Sequence, residues 1–220
     1  QDRYAALYPM VTGQSGATPR IQLLEWPFFP LINHYANHPI TRNLDASITR
    51  FVSSIDTVKA PGVEKTPLLF TSAATRKVTA PVSVNINQFR ESDLTSFDDG
   101  AFPVAYLLEG NFTSAFRNRF LPDSAAQKTF RDQSVPTKMI VISDGDIAKN
   151  EVNRRSGRPQ ALGYDPFTKY TYANEELLMN MIAYLTDDNG IINARNKEVR
   201  IRPLDKIRIV EEKTEWQIVN

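Results

Sequence analysis

Asp144 and Asp146 flank a single glycine shortly after an apolar run, and this spacing could serve catalysis. The apolar run, residues 139–142, predicts a buried strand, and acidic groups at the carboxyl end of a strand lie where α/β folds usually bind ligands. In phosphatase-type chemistry one aspartate attacks phosphorus, the second protonates the leaving group, and a metal ion lies between them. A phosphatase-like hydrolase that uses Asp144 and Asp146 is therefore one hypothesis.

The neighbouring residues favour a structural role for this turn. The haloacid-dehalogenase pattern requires threonine or valine two residues after the second aspartate, where this chain has Ala148. The same three residues also suit a turn in which Gly145 takes a positive φ angle and Asp146 caps the next helix. We therefore predict no catalytic residues and a protein that is not an enzyme.

A second group of candidate residues lies in residues 153–172, which contain two glycines and two prolines and predict a long loop. The arginines of this loop could form a surface for an anion or a partner protein. Together with the acidic turn, they give the predicted ligand- or partner-binding residues: Asp144, Asp146, Arg154, Arg155, Arg158 and Tyr164.

Aromatic side chains in the same loop give a further alternative. Their rings could stack on a ligand, which would make the chain a glycan- or small-ligand-binding domain. The alternative view is that they pack on the core of the protein. The side chains concerned are Tyr164, Phe167, Tyr170 and Tyr172.

Composition excludes several classes of function. The net charge is +1, so no overall field favours nucleic acid or an anionic membrane surface. The chain has no cysteine, which excludes thiol nucleophiles, disulfides and cysteine-ligated metals. Its glycines are scattered and form no phosphate-binding loop, so the chain does not hydrolyse ATP itself.

The histidines do not form a convincing metal site. His34 and His38 have the i, i+4 spacing of two ligands on a helix, but Pro39 disfavours a helix through His38. No acidic third ligand lies closer than Asp45. We predict no metal and no cofactor.

The elements that must position these residues suggest an α/β fold. Residues 1–20 predict an irregular lead-in, and residues 21–26 a strand. Buried runs at 67–72, 103–109 and 139–142 predict the strands of an open, mostly parallel sheet flanked by helices, with some extra β structure in the N-terminal part. Asn174–Thr186 predicts a helix with Asn174 as N-cap. Its apolar face would contain Leu177, Leu178, Met181, Ile182 and Leu185.

The C-terminal third resembles a known family. The run MIVISDGDIAKNEV, followed by NEELLMNMIAYLTDDNGIINARNKEVRIRPLDK, is similar to the GldG family. These proteins are auxiliary extracytoplasmic components of ABC transporters linked to gliding motility in Bacteroidetes. The segments FVSSID, PLLFTS and VAYLLEGNFTSAF support the resemblance earlier in the chain.

This resemblance implies a membrane-anchored protein with a single α/β domain over residues 21–210, of the glutamine-amidotransferase-like (flavodoxin-like) architecture. Residues 211–220 would be a juxtamembrane tail, followed by a membrane helix soon after Trp216. The implied location is the periplasmic face of the inner membrane, and the implied partners are the ABC permease and ATPase subunits. Amidotransferase chemistry is not implied, because it needs the cysteine that this chain lacks.

Overall fold

Antiparallel strands make up most of the fold. The computed structural model describes residues 1–15, 18–82, 84, 96–119, 128–187 and 190. The strands form two sheets, with the orders β1-β2-β4 and β3-β5-β6-β7, and all neighbouring pairs are antiparallel. The elements are β1 Ala5–Ser15, β2 Thr18–Ile32, β3 His34–Tyr35, β4 Ser47–Ile48, β5 Val63–Phe70, β6 Pro103–Gly110, β7 Thr137–Ile142 and α1 Asn174–Thr186.

The predicted open, mostly parallel, flavodoxin-like sheet is therefore wrong. The prediction relied on the apolar runs at 67–72, 103–109 and 139–142, of which the second, in β6, is nearly continuous, as is typical of a parallel strand covered on both faces. In the structure β6 lies between β5 and β7, and its core face is buried through Ala105 and Leu107; Val104, which lies where the pairing with β5 is irregular, is buried too. Its other face carries Tyr106 and Leu108, which are only half-buried. The apolar run thus belongs to an antiparallel strand with one open face.

The strand β7 is at the edge of its sheet rather than in the core. It pairs with β6, with Val141 opposite Tyr106 and Met139 opposite Leu108. Met139 is 46% exposed and Val141 is 39% exposed, so the prediction that residues 139–142 form a buried strand is wrong. Alternate residues Ile140 and Ile142 do pack against the core. Side chains alternate between faces along a strand, so only half of this short apolar run can be buried here.

The hairpin of β1 and β2 occupies the segment in which the sequence predicts an irregular lead-in. Its outer half is a two-stranded ribbon in which Val11 lies opposite Ile21 and Pro9 opposite Leu23. Val11, Ile21 and Leu23 are all exposed. The inner half of β2, from Trp26 to Ile32, enters the body of the protein and pairs with β4. One strand therefore joins a projecting ribbon to the core.

Helix α1 forms with the predicted bounds, but its contacts differ from the prediction. The N-cap is Ala173, and Asn174 is the first helical residue, with a buried side chain. Leu177 and Met181 are buried in the core, whereas Ile182 and Leu185 are exposed. The predicted apolar face is therefore only partly covered. Among the described residues, no helix is both long and apolar enough to cross a membrane.

The core lies between α1 and the inner faces of the sheets. It joins residues of β2, β5, β6 and α1 with the loops at residues 40 and 147. Its buried members are Ile32, Ile40, Leu68, Leu69, Val104, Ala105, Leu107, Ile147, Leu177 and Met181.

Candidate functional site

Both oxygens of the Asp144 carboxylate accept backbone hydrogen bonds. Its Oδ2 accepts from the Arg50 N–H at 2.7 Å, and its Oδ1 accepts from the Asp146 N–H at 2.8 Å. Residues Asp146–Ala148 form one turn of 3-10 helix whose N-cap is Gly145, so the prediction that Asp146 caps a helix is wrong. Gly145 has φ −75°, so the predicted positive φ is wrong. The acidic turn is therefore a structural junction.

The electrostatics of the two aspartates agree with this role. Burial raises the pKa of the Asp144 carboxyl above its ordinary value, although the hydrogen bonds from the Arg50 and Asp146 backbones oppose that effect. Asp146 forms an ion pair with Lys149 at 3.5 Å. Asp144 is only 6% exposed, and each of its oxygens already holds a backbone N–H. Within the described parts of the chain, no group of three or more His, Asp or Glu side chains could hold a metal ion.

Asp144 instead positions Arg50. The Arg50 backbone N–H is bound to Asp144. The Arg50 guanidinium forms an ion pair with the Glu151 carboxylate, with 2.5 Å between Arg50 Nη2 and Glu151 Oε1. The guanidinium also lies over the Phe29 ring, 5.4 Å from its centroid. The ion pair and the cation–π contact hold this side chain in one orientation.

Glu151 begins a compact loop that we name the arginine loop, residues 151–160. Its two ends are joined by hydrogen bonds from the Gln160 N–H to the Glu151 carbonyl and from the Asn153 N–H to the Arg158 carbonyl. The Asn153 side chain accepts from the N–H groups of Arg155 and Ser156, at 2.9 and 3.2 Å. Asparagine commonly forms such turns. The loop therefore presents its exposed arginines from a well-braced backbone.

A second compact loop, residues 163–172, carries the four aromatic side chains that were predicted to stack on a ligand, and it is named the aromatic loop. The buried carboxylate of Asp165 accepts from the N–H groups of Phe167 and Thr168, and from the Thr168 hydroxyl. Lys169 has φ +60°, a left-handed conformation that costs a non-glycine residue about 1–3 kcal/mol. The Asp165 carbonyl accepts from the Lys169 N–H at 2.8 Å, which helps to hold this conformation.

These two loops and the base of the β1–β2 hairpin enclose an open groove of about 870 Å³. Tyr8 and Phe29 come from the hairpin, and the ring centroids of Tyr8 and Phe167 are 5.2 Å apart in an edge-to-face arrangement. The groove lining combines aromatic rings with several cations and one carboxylate. It is formed by Tyr8, Phe29, Arg50, Glu151, Val152, Asn153, Arg154, Arg155, Gln160, Tyr164, Pro166, Phe167 and Lys169.

The structure brings together half of the predicted binding residues. Arg154, Arg155 and Tyr164 all line the groove. Arg158 belongs to the arginine loop but does not line the groove, and Asp144 contributes only by positioning Arg50. Asp146 pairs with Lys149 and does not line it either.

Two of the four predicted stacking aromatics also lie elsewhere. Tyr170 and Tyr172 pack edge-to-face against each other, with ring centroids 4.9 Å apart. The Tyr170 hydroxyl donates to Asp45 Oδ2 at 2.6 Å, and this bond lowers the pKa of Asp45. These rings therefore attach the aromatic loop to the body of the protein. Tyr164 and Phe167 are the two members that line the groove.

The groove residues Tyr8, Phe29, Arg50 and Lys169 were not among the residues predicted from the sequence. The apolar residues on both sides of Gly13 and Gly16 could have indicated a hairpin, which would have placed Tyr8 on a strand. Arg50 stands alone in its segment and has no local pattern that marks it.

A second cavity of about 400 Å³ is a weaker candidate for a binding site. It is largely apolar and is bordered by Phe28, Phe51 and Phe102, with Arg76 and Lys77 among its lining. The guanidinium of Arg76 is already bonded to the Gln1 side chain, at 2.6 and 2.8 Å. The Lys77 ammonium lies over the Phe102 ring. Both cations of this cavity are thus engaged within the protein.

Comparison with known proteins identifies the family. A family model described as an ABC-type uncharacterized transport system matches residues 1–181, which include both loops and nearly all of the described chain. No curated protein and no solved structure matches the chain. The chain therefore belongs to the family of auxiliary components of ABC-type uncharacterized transport systems.

Proposed function

We propose that this chain is a non-catalytic, extracytoplasmic binding component of an ABC transport system, anchored at the periplasmic face of the inner membrane. Its family supplies the transport context. The resemblance to the GldG family suggests the location, the membrane anchor and a link to gliding motility or envelope transport. On the same basis the direct partners are the permease and ATPase subunits of the transporter.

The engagement of Asp144 is the observation that carries the non-catalytic part of this proposal. Both carboxylate oxygens hold backbone N–H groups, so the most enzyme-like feature of the sequence is used to build the fold. An aspartate nucleophile needs an oxygen directed at the substrate. This geometry disfavours a phosphatase-like hydrolase that uses Asp144 and Asp146.

Affinity purification of the full-length protein from its native membranes tests the transport part. We expect the permease and ATPase subunits to co-purify with it after mild detergent extraction. Recovery of the protein without any transporter subunit, from membranes that contain the subunits, would contradict the proposal.

An assay with a generic phosphate ester and Mg²⁺ tests the non-catalytic part. We expect no turnover by the wild-type protein. Hydrolysis that disappears in the Asp144→Asn variant would restore the hydrolase hypothesis and overturn ours.

The glycan- or small-ligand-binding alternative depends on the same groove. Tyr164 and Phe167 line it and could face a ring-shaped ligand. A thermal-shift screen against glycans and small metabolites distinguishes this alternative, because a ligand that binds the folded state raises its melting temperature.

A further inference from the structure

We propose that the groove between the arginine loop and the aromatic loop binds an acidic, extended polypeptide segment of a partner protein that also inserts an apolar side chain. This inference rests on the proposed function as a binding component, and adds to it the place and the chemistry of the contact.

The charges of the groove define the first part of this chemistry. Among the residues that the structure describes, four lining side chains are cationic, namely Arg50, Arg154, Arg155 and Lys169, and Glu151 is the only carboxylate. Glu151 is already paired with Arg50. Within the described part of the chain, Arg154, Arg155 and Lys169 form no ion pair with a carboxylate. The groove thus presents three uncompensated cations to an anionic partner.

These cations are presented on braced backbone. Arg154 and Arg155 follow Asn153, whose side chain and carbonyl together accept three N–H groups of the arginine loop. Lys169 is held in a left-handed conformation at the rim of the aromatic loop. Because the backbone is already ordered, less conformational freedom is lost when a partner binds. Guanidinium groups in addition suit carboxylates, which they can bind through two parallel hydrogen bonds.

Apolar side chains next to the cations favour a polypeptide over an acidic glycan. Val152 and Phe167 are exposed and line the same groove. The Tyr8 ring is already engaged edge-to-face with Phe29 and Phe167, at 5.6 and 5.2 Å. Rings packed edge-to-face offer less flat surface to a sugar, but they form a wall against which an apolar side chain can pack. A chain that alternates carboxylates with an apolar residue fits both features.

Fluorescence anisotropy with designed peptides tests the inference directly. The probe is a labelled glutamate-rich peptide with one central phenylalanine, and the comparison peptide has lysine in place of each glutamate. We expect the acidic peptide to bind and the basic peptide not to bind. Salt should weaken binding, because exposed charges are screened.

Charge reversal in the arginine loop locates the contact. In the double variant Arg154→Glu/Arg155→Glu we expect the dissociation constant to rise about tenfold or more, since like charges facing each other across an interface are strongly unfavourable. Arg158→Glu is the matched control, because Arg158 lies in the same loop but does not line the groove. Circular dichroism checks that each variant is folded.

Three results would overturn the inference. The first is the absence of acidic-peptide binding, and the second is equal weakening by the double variant and by Arg158→Glu. The third is displacement of the acidic peptide by oligogalacturonate at concentrations below those of the peptide itself, which would assign the groove to an acidic glycan. Co-purification of the transporter subunits with the wild-type protein is read separately. If they co-purify but no peptide binds, the inference fails and the proposed function stands; if they do not, the proposed function itself fails.

Discussion

The side-chain amide of Asn174 pairs with the backbone of Ile48 in both directions. Its Oδ1 accepts from the Ile48 N–H at 2.9 Å, and its Nδ2 donates to the Ile48 carbonyl at 2.9 Å. The same Nδ2 also donates to the Ile147 carbonyl at 3.2 Å. One buried side chain thus connects the first turn of α1 to strand β4 and to the turn that follows Asp144.

Replacing Asn174 by alanine should therefore be severely destabilising. The change leaves one backbone N–H and two backbone carbonyls without their partner, and each unpaired buried group costs about 1–3 kcal/mol. We expect the free energy of unfolding to fall by about 3 kcal/mol or more, measured by urea denaturation.

Asn180→Ala is the matched control in the same helix. The Asn180 side chain donates one hydrogen bond, to the Ile40 carbonyl at 3.1 Å. We expect its removal to cost about 1 kcal/mol. Equal losses in the two variants would mean that the three bonds of Asn174 do not act as a junction.

The contacts of Asn174 also illustrate how far the sequence could predict this fold. Helix α1 was predictable from its apolar spacing and the acidic residues in its first turn, both of which are local. The role of Asn174 was not, because the groups that its amide binds are 126 residues away in the chain for Ile48 and 27 for Ile147. An asparagine before an apolar helix predicts an N-cap equally well.

The sheet order was unpredictable for a related reason. An apolar run such as that of β6 has the same sequence in a parallel strand covered on both faces and in an antiparallel strand with an open apolar face. Only the partners of the strand decide between the two. The groove was only partly predictable for the same reason. The loop with Arg154, Arg155 and Tyr164 could be identified from local sequence, whereas the hairpin wall of the groove depends on contacts between distant segments.

The raised pKa of Asp144 should make the stability of the protein depend on pH. Burial raises its pKa in the folded protein, so the folded state binds this proton more tightly than the unfolded state does. The resulting stabilisation is fully present below the unfolded pKa of about 3.9, and it is lost as the pH rises through the folded pKa. We expect the wild-type stability, relative to that of Asp144→Asn, to be highest in acid and to decrease over this window.

Urea denaturation of both proteins across the acidic range measures this difference. The amide introduced by Asp144→Asn would keep one acceptor oxygen, so the N–H of either Arg50 or Asp146 loses its partner at about 1–3 kcal/mol. That loss lowers the free energy of unfolding of the variant by the same amount at every pH. The proton linkage, in contrast, makes the difference in free energy of unfolding between the two proteins change with pH. Parallel curves would contradict the raised pKa.

Two glycines with positive φ allow backbone strain to be separated from steric overlap. Gly163 has φ +80°, and a Cβ atom added there would lie 2.5 Å from the Tyr172 carbonyl oxygen. Gly157 has φ +66°, and an added Cβ would meet no atom within 4 Å. Both alanine variants incur the left-handed conformation, about 1–2 kcal/mol, but only Gly163→Ala adds an overlap with backbone.

We therefore expect Gly163→Ala to destabilise the protein clearly more than Gly157→Ala does, as measured by chemical denaturation. The Gly163 carbonyl also accepts from the Tyr172 N–H, so the overlap would disturb the closure of the aromatic loop. Acidic-peptide binding should consequently weaken in Gly163→Ala. Equal stability of the two variants would show that the aromatic loop can move away from the added methyl group.

The contact between Tyr8 and Phe167 joins the hairpin to the aromatic loop, and a double-mutant cycle can measure it. The ring centroids are 5.2 Å apart with 69° between the planes, and such pairs contribute about 0.5–1.5 kcal/mol beyond their buried area. We expect a coupling energy near the lower value for Tyr8→Ala and Phe167→Ala, because Phe167 is 40% exposed. Phe116 is the control: it is also exposed and does not line the groove, so Tyr8→Ala and Phe116→Ala should be additive within about 0.3–0.5 kcal/mol. A coupling no larger than that of the control would mean that the two walls of the groove are held in place independently, by the bonds within each loop.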